Sequence, residues 1–254
     1  MTGLERSSPS QARATPRGRV RHSPREQLPR HPHHDAFAAV VLSGGYIEAG
    51  DTGRHRLEPG DVVLHRAWES HLDRFDRRGA EVLLLTVDNR DAARISGRIA
   101  DPDALVRVAE QDPVDAARQL MADLIPKPAI VNDWPDLLAD ALRVDPALAL
   151  RAWAREHGLH IGSISRGFRQ VFDMTPLAFR LVQRTWRAIE AIQGDGQPLY
   201  LVAQDCGFAD QAHMSRAIRG LVGTTPSALR KPLSYGGVTG MLRGHECYGD
   251  TILN

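Results

Sequence analysis

Two cysteines, Cys206 and Cys247, are too few for the disulfide framework of a small secreted domain. No apolar run approaches the roughly 20 residues needed to span a bilayer. The N-terminus carries basic residues with no apolar stretch behind them, so it lacks the pattern of a secretory signal. These absences lead us to expect a cytoplasmic protein with no membrane partner. What remains is ordinary for a globular chain: 254 residues, 42% hydrophobic and 25% charged, room for about two domains. The net charge of +1 conceals an uneven distribution, because residues 146–232 hold eleven Arg and Lys against six acids. A basic segment points towards nucleic acid, although an ordinary solvated surface accounts for the charge equally well.

The texture of the chain changes several times. Residues 1–30 contain seven Arg and almost no large apolar side chains, so we read a disordered basic leader. Between 31 and 90, short apolar runs stop at Gly, Pro and Asp: Phe37–Leu42 before Ser43-Gly44-Gly45, Tyr46–Ala49 before Gly50-Asp51, His55–Leu57 before Glu58-Pro59-Gly60-Asp61, then Val62–His65 and Glu81–Val87. Such spacing predicts a small β-barrel or sandwich. From 91 to 145 the apolar period becomes helical, with Pro102, Pro113 and Pro135 near three helix starts. This segment reads as a helical connector, able to pair with a second copy or to lie against the barrel.

Residues 150–231 contain an internal repeat. Ala154-Arg-Glu-His-Gly158-Leu159 matches Ala203-Gln-Asp-Cys-Gly207-Phe208 at an offset of 49. Ser165-Arg166-Gly-Phe168-Arg169 then matches Ser215-Arg216-Ala-Ile218-Arg219 at 50, and so does Met174-Thr175-Pro176 with Thr224-Thr225-Pro226. Each copy reads as a helix, a turn containing Gly, and a second helix, which is the helix-turn-helix pattern. Ile164, Phe168 and Val171, or Met214, Ile218 and Leu221, form the inward stripe. Ser163, Ser165, Arg166 and Arg169 face outward in the first copy; Gln211, Ala212, Ser215, Arg216 and Arg219 do so in the second. Arg can fork onto guanine, Gln onto adenine, and Ser can bond to bases or phosphate, as a major-groove reader requires. Helical hairpins with solvated polar faces are the competing explanation, and the duplication argues against it.

Residues 146–232 resemble the AraC/XylS family of transcription regulators. The resemblance rests on Ala203-x-x-x-Gly207-Phe208-x-Asp210-Gln211-x-x-Met214-Ser215-Arg216-Ala217 with Gly223-x-Thr225-Pro226-x-x-Leu229-Arg230, and on the first copy from Ala154 to Pro176. It implies two helix-turn-helix units joined by a long helix, Arg180 to Ile192, on which Arg184 would touch DNA phosphate. Gly162 and Gly167 depart from the pattern inside the first reading helix, where Gly costs about 0.5–1 kcal/mol against Ala. Beyond Lys231 the family pattern stops, and the tail 233–254 receives no role.

Gly53-x-x-x-x-Leu57-x-Pro59-Gly60-Asp61-Val62, with His71 beyond it, resembles the cupin-like sensory barrel common in that family. The resemblance implies an α+β chain: cupin-like barrel, helical connector and an all-α domain with two helix-turn-helix units. Cupin histidines can bind metal, and His31, His33, His34, His65 and His71 are available; imidazole suits Zn, Fe, Cu or Ni. The acidic ligand expected shortly after the first histidines is missing, since Asp35 follows too soon and Phe37-Ala-Ala is apolar. We therefore assign no metal or other cofactor and expect a small organic effector near His31, His33, Tyr46, His65 and His71. Three functions compete: a ligand-responsive regulator, a cupin-type metal-dependent enzyme with a helical appendage, and a protein-binding adaptor. The first is preferred and is not an enzyme; its partners are operator DNA, an effector, RNA polymerase and a second copy of the chain.

Overall fold

The computed structural model describes residues 17–93, 96–127, 133–194 and 196–230. Its N-terminal half is an antiparallel sheet of eight strands: β1 (Gly18–His22), β2 (Gln27–Pro32), β3 (Phe37–Gly50), β4 (Gly53–Leu57), β5 (Asp61–His65), β6 (Ser70–Thr86), β7 (Gly97–Arg98) and β8 (Ile125–Pro126). The order is β1-β6-β3-β5-β7-β8, with β2 beside β6 and β4 beside β3. Two long strands organise it, β3 lying along β6 from Phe37 opposite Thr86 to Gly50 opposite His71. The sheet curls around a cavity without closing, which corrects the expected barrel. Its far edge ends in β7 and β8, two residues each, too short to complete a ladder back to β1.

Ser43-Gly44-Gly45, expected to end a strand, lies inside β3. The register shifts on either side of it, and Gly44 adopts φ 71° where its backbone passes Gly79 so closely that a Cβ would overlap the Gly79 carbonyl. Glycine here bends the strand and does not stop it.

The disordered leader also needs correction. Residues 1–16 lie outside the described residues, but β1 and β2 pair with β6 and fall within 17–32. Alternation explains this: a strand needs only every second side chain inside, and Val20, His22 and Leu28 supply them. The scarcity of apolar residues thus misled the reading.

The sheet buries both faces because successive side chains alternate. Phe37, Ala39, Val41, Val63 and Val82 point inward. Ala38, Val40, Val62, Leu64, Leu83 and Leu85 point outward, beneath α1 (Pro102–Gln111) and α2 (Pro113–Asp123). Each helix starts as the sequence suggests, on a capping Asp followed by Pro: Asp101 accepts from Ala104 N and Asp112 from Val114 N. The connector is not purely helical, since β7, β8 and a 3-10 turn at Asp91–Ala93 interrupt it. Two-residue strands carry no periodic signal; backbone pairing at the edge of β5 creates them.

The third connector helix, α3 (Trp134–Val144), belongs to a different core. Six helices follow: α4 (Leu150–Glu156), α5 (Ile161–Phe172), α6 (Pro176–Gly194), α7 (Leu199–Asp205), α8 (Gln211–Val222) and α9 (Pro226–Leu229). Leu138 and Leu142 of α3, Ala49 and Leu72 of the sheet, and Trp153, Phe168, Phe172 and Phe179 form one cluster. Trp186, Ile189, Val202, Met214 and Ile218 form another around α6 to α9. The joining helix α6 spans both clusters and starts earlier than expected, because the Thr175 hydroxyl accepts from Ala178 N and Pro176 is preset for a first turn. No helix among the described residues is long and apolar enough to cross a membrane.

Candidate nucleic-acid interface and sensor cavity

The two C-terminal units repeat each other in backbone detail. Gly158 and Gly207 take φ 65° and 75° after α4 and α7. The next amide reaches back identically, Leu159 N to Ala154 O and Phe208 N to Ala203 O, both 2.8 Å. This is the left-handed helix ending that glycine permits. Four residues separate α4 from α5 and five separate α7 from α8, which accounts for the change of offset. Caps open α5 and α8, His160 Nδ1 accepting from Gly162 N and Asp210 from His213 N. Threonine caps also explain the repeated Thr-Pro, since Thr225 does for α9 what Thr175 does for α6.

Ile164, Phe168 and Phe172 are the buried side chains of α5, and Met214, Ile218 and Val222 those of α8. Val171 and Leu221, expected in the stripe, are only half-buried. On the opposite faces Ser165, Arg166, Arg169, Gln211, Ala212, Arg216 and Arg219 are exposed, with Ser163 and Ser215 partly so. The Ser215 hydroxyl donates to Gln211 O at 2.8 Å, leaving its lone pairs to face a partner. Gly167 has a packing reason that the sequence could not display: a Cβ there would overlap the ring of Trp134 from α3.

The second site is a cavity of about 220 Å³ inside the curled sheet. Strand register assembles it: His31 pairs with His71, Phe37 with His65, and Glu48 with Asp73. His31, His33, Tyr46, His65 and His71 all line it and are all buried, whereas His34 is exposed and packs edge-on to Trp68. Sequence reasoning missed Glu48 and Asp73, each buried and each on the cavity wall. Only inward alternation, Tyr46 with Glu48 on β3 and Asp73 with Phe75 on β6, could have revealed them. Glu48 Oε2 lies 3.2 Å from His65 Nε2. Burial pulls the His65 imidazole down, but Glu48 outweighs it through charge and a hydrogen bond, raising it to about 9. Burial, then the neighbouring His65, His31 and His33, hold His71 well below the usual imidazole range. Burial and Glu48 push Asp73 well above the usual carboxylate range. The cavity therefore places a buried Glu48–His65 pair beside His71 and Asp73, whose charged forms burial disfavours.

The cavity chemistry fits a metal ion. Imidazole and carboxylate atoms of Glu48, His65 and His71 lie within 4.8 Å of one another, as do those of His31, His33 and His71. Nδ1 of His65 and of His71 are buried without a hydrogen-bond partner.

Residues 153–232 match the family model described as a helix-turn-helix domain. The match spans both helix-turn-helix units, from α4 to α9. Among solved structures, a transcriptional regulator with an AraC-type DNA-binding domain from Chromobacterium violaceum is 22% identical, covering 39% of this chain and 91% of its own at a TM-score of 0.37. The C-terminal domain of AraT, a response regulator from Geobacillus stearothermophilus, is 17% identical over 44% of this chain and 95% of its own, TM-score 0.36. ToxT from Vibrio cholerae, crystallised with an unsaturated fatty acid, is 11% identical over 83% of this chain and 92% of its own, TM-score 0.38. A comparison with curated proteins yields no match.

In this helix-turn-helix segment Arg184 is engaged within the protein. Its guanidinium donates to Pro146 O at 3.1 Å and lies beside Gly207, so it ties the loop before α4 to the second unit. Arg187 likewise donates to the carbonyls of Arg143 and Val144. The sheet grips the domain through one buried acid. Asp51, in the turn after β3, accepts from Arg30, from Ser70 N and from Trp186 Nε1 at 3.2 Å, while its carbonyl accepts from Gln183. Arg66 stacks over Trp186 and pairs with Glu190. At the first unit, Arg74 donates to Gln170 O and Arg30 to Phe172 O, at the end of α5.

Proposed function

We propose that this protein is a sequence-specific DNA-binding transcription regulator that reads the major groove with α5 and α8 and responds to an effector in the sheet cavity. The observation that carries the reading is the duplicated helix-turn-helix within the family-matched segment, with Arg166 and Arg216, then Arg169 and Arg219, exposed at matched positions. Paired recognition helices on one rigid joining helix suit two successive major-groove contacts. Asp51 lies three residues beyond Glu48, so an effector that moves β3 bears on Gln183 and Trp186 of α6 between the two units. An effector acts to the extent that it binds one arrangement better than the other.

A cytoplasmic location, a homodimer and contact with RNA polymerase belong to the same reading. Val114, exposed on α2 beside an apolar hollow of about 720 Å³, supports the connector as the face towards a second copy. The deciding experiment is selection of bound DNA from a random pool by the full chain. Recovery of one enriched motif with two half-sites, bound with affinity that falls steeply as salt rises, is expected. Recovery of no motif, with salt-insensitive retention, overturns it.

A further inference from the structure

We infer that the cavity binds a divalent transition-metal ion through Glu48, His65 and His71, and that Glu48 takes the place of the acidic ligand missing after the first histidines. Only the identification of the ion as effector rests on the regulator reading; the site itself does not.

The donor set selects the class of ligand. Two buried acids, Glu48 (paired with His65) and Asp73, face the cavity, and among the described residues no Arg or Lys lines it. An organic anion would meet both acids with no guanidinium to hold it. A neutral apolar molecule would leave the Nδ1 atoms of His65 and His71 buried and unbonded, which costs about 1–3 kcal/mol for each group. A cation that takes one nitrogen from each imidazole and a carboxylate oxygen suits this donor set. The present contacts are poor substitutes, since His71 Nε2 stands 3.7 Å from Asp73 Oδ2, beyond hydrogen-bond range.

The geometry needs little change. Zinc sits about 2.0–2.2 Å from His N and carboxylate O, which places ligands roughly 3.4 Å apart in a tetrahedron. Atoms now within 4.8 Å reach that spacing by side-chain shifts on the order of an ångström. The three ligands come from β3, β5 and the start of β6, three mutually supporting strands rather than a loop. His71 also belongs to the cluster with His31 and His33, so the fourth position lies on the side those rings occupy. A set of imidazoles with one carboxylate suits Zn, Co, Ni or Fe(II) and not Mg or Ca.

The test uses full-length protein stripped with a chelator and titrated with Co²⁺, whose visible d–d absorption reports its ligands. We expect one saturating equivalent, displacement of the band by Zn²⁺, and a melting temperature that rises with either ion. Glu48→Gln should weaken Co²⁺ at least tenfold and alter the band, His71→Ala should abolish it, and His34→Ala, on the surface, should match the wild type. Because Glu48→Gln strands His65, the double variant Glu48→Gln/His65→Gln keeps a neutral hydrogen-bonded pair, and its circular dichroism separates lost binding from lost fold. A folded wild-type protein with no saturable band, or a Glu48→Gln protein that binds Co²⁺ unchanged, overturns the site. DNA retention measured with and without Zn²⁺ separates the two readings: metal binding without any change in DNA affinity removes the ion as effector, and DNA binding without Co²⁺ uptake leaves a regulator whose cavity takes something else.

Discussion

The two helix-turn-helix units share a backbone plan, yet they do not share a neighbourhood. At equivalent positions 50 residues apart, Phe168 answers Ile218, Gly167 answers Ala217, and Asp173 answers Gly223. The first unit shares its core with the sheet and α3 through Ala49, Leu72, Leu138 and Leu142. The second packs on α6 and meets the N-terminal half at Trp186, through Asp51, Arg66 and Trp68 of the turns beside the strands. Where the first unit has Gly167, α3 lays Trp134 against the helix; where the second has Ala217, that side chain packs against the second core. The first unit thus shares its core with the sheet, and the second meets the N-terminal half mainly through polar contacts at α6.

The largest test of this contrast removes a core side chain from each unit. Phe168→Ala should cost about 3–5 kcal/mol and Ile218→Ala about 2–5 kcal/mol. Phe168→Ala should lower the melting of sheet and first unit together, followed by amide exchange across both. Ile218→Ala should release only α7 to α9; loss of protection in β3 on that substitution would erase the distinction.

Next comes base reading. Arg216→Ala should relax preference at one base position by about 1–3 kcal/mol while circular dichroism stays unchanged. Arg166→Ala should do less, because Gly162 leaves the start of α5 without a side chain. Competition binding against single-base operator variants decides between them. Equal losses would mean that both helices read alike. Arg184→Ala, bonded to Pro146 O, should lower thermal stability; an unchanged melting temperature with uniformly weaker DNA binding would restore its expected phosphate role.

Gly167→Ala should destabilise by about 1–3 kcal/mol through overpacking on Trp134 despite the better helix former. The double variant Gly167→Ala/Trp134→Ala should relieve the clash, with coupling read from a double-mutant cycle. Ala217→Gly in the second unit should cost only the helix preference, about 0.5–1 kcal/mol.

The smallest effect concerns the helix ends. Asp173 occupies a left-handed conformation at φ 54°, where the second unit has Gly223 at 70°. Asp173→Gly should gain a few tenths of a kcal/mol, up to about 1, and Gly223→Asp should lose a similar amount. A loss on Asp173→Gly, measured by urea unfolding, would show that its carboxylate holds something that glycine cannot.

Much of this contrast was legible beforehand. The repeat, both glycine turns, the Thr-Pro starts and the exposed Arg and Ser positions all follow from short-range rules: helical period, capping chemistry and the left-handed freedom of glycine. The strands were also visible as runs, although a bend at Gly44 passed for a stop and a polar leader concealed β1 and β2. The cavity was only half visible. Its histidines stood out as a residue type, but Glu48 and Asp73 looked like ordinary solvated acids.

What the sequence determined by itself was the kind of each element and the chemistry of the outward helix faces, because both depend on neighbours within about four residues. What only the tertiary structure decided was which elements share a core and which polar groups lie inside. Pairing β3 with β6 brings Glu48 opposite Asp73 and sets His71 beside Gly50, and folding α3 across α5 turns an apparent helix-breaking Gly167 into a seat for Trp134. Those contacts join residues far apart in the chain, and their energies come from burial and close approach, which no local pattern records.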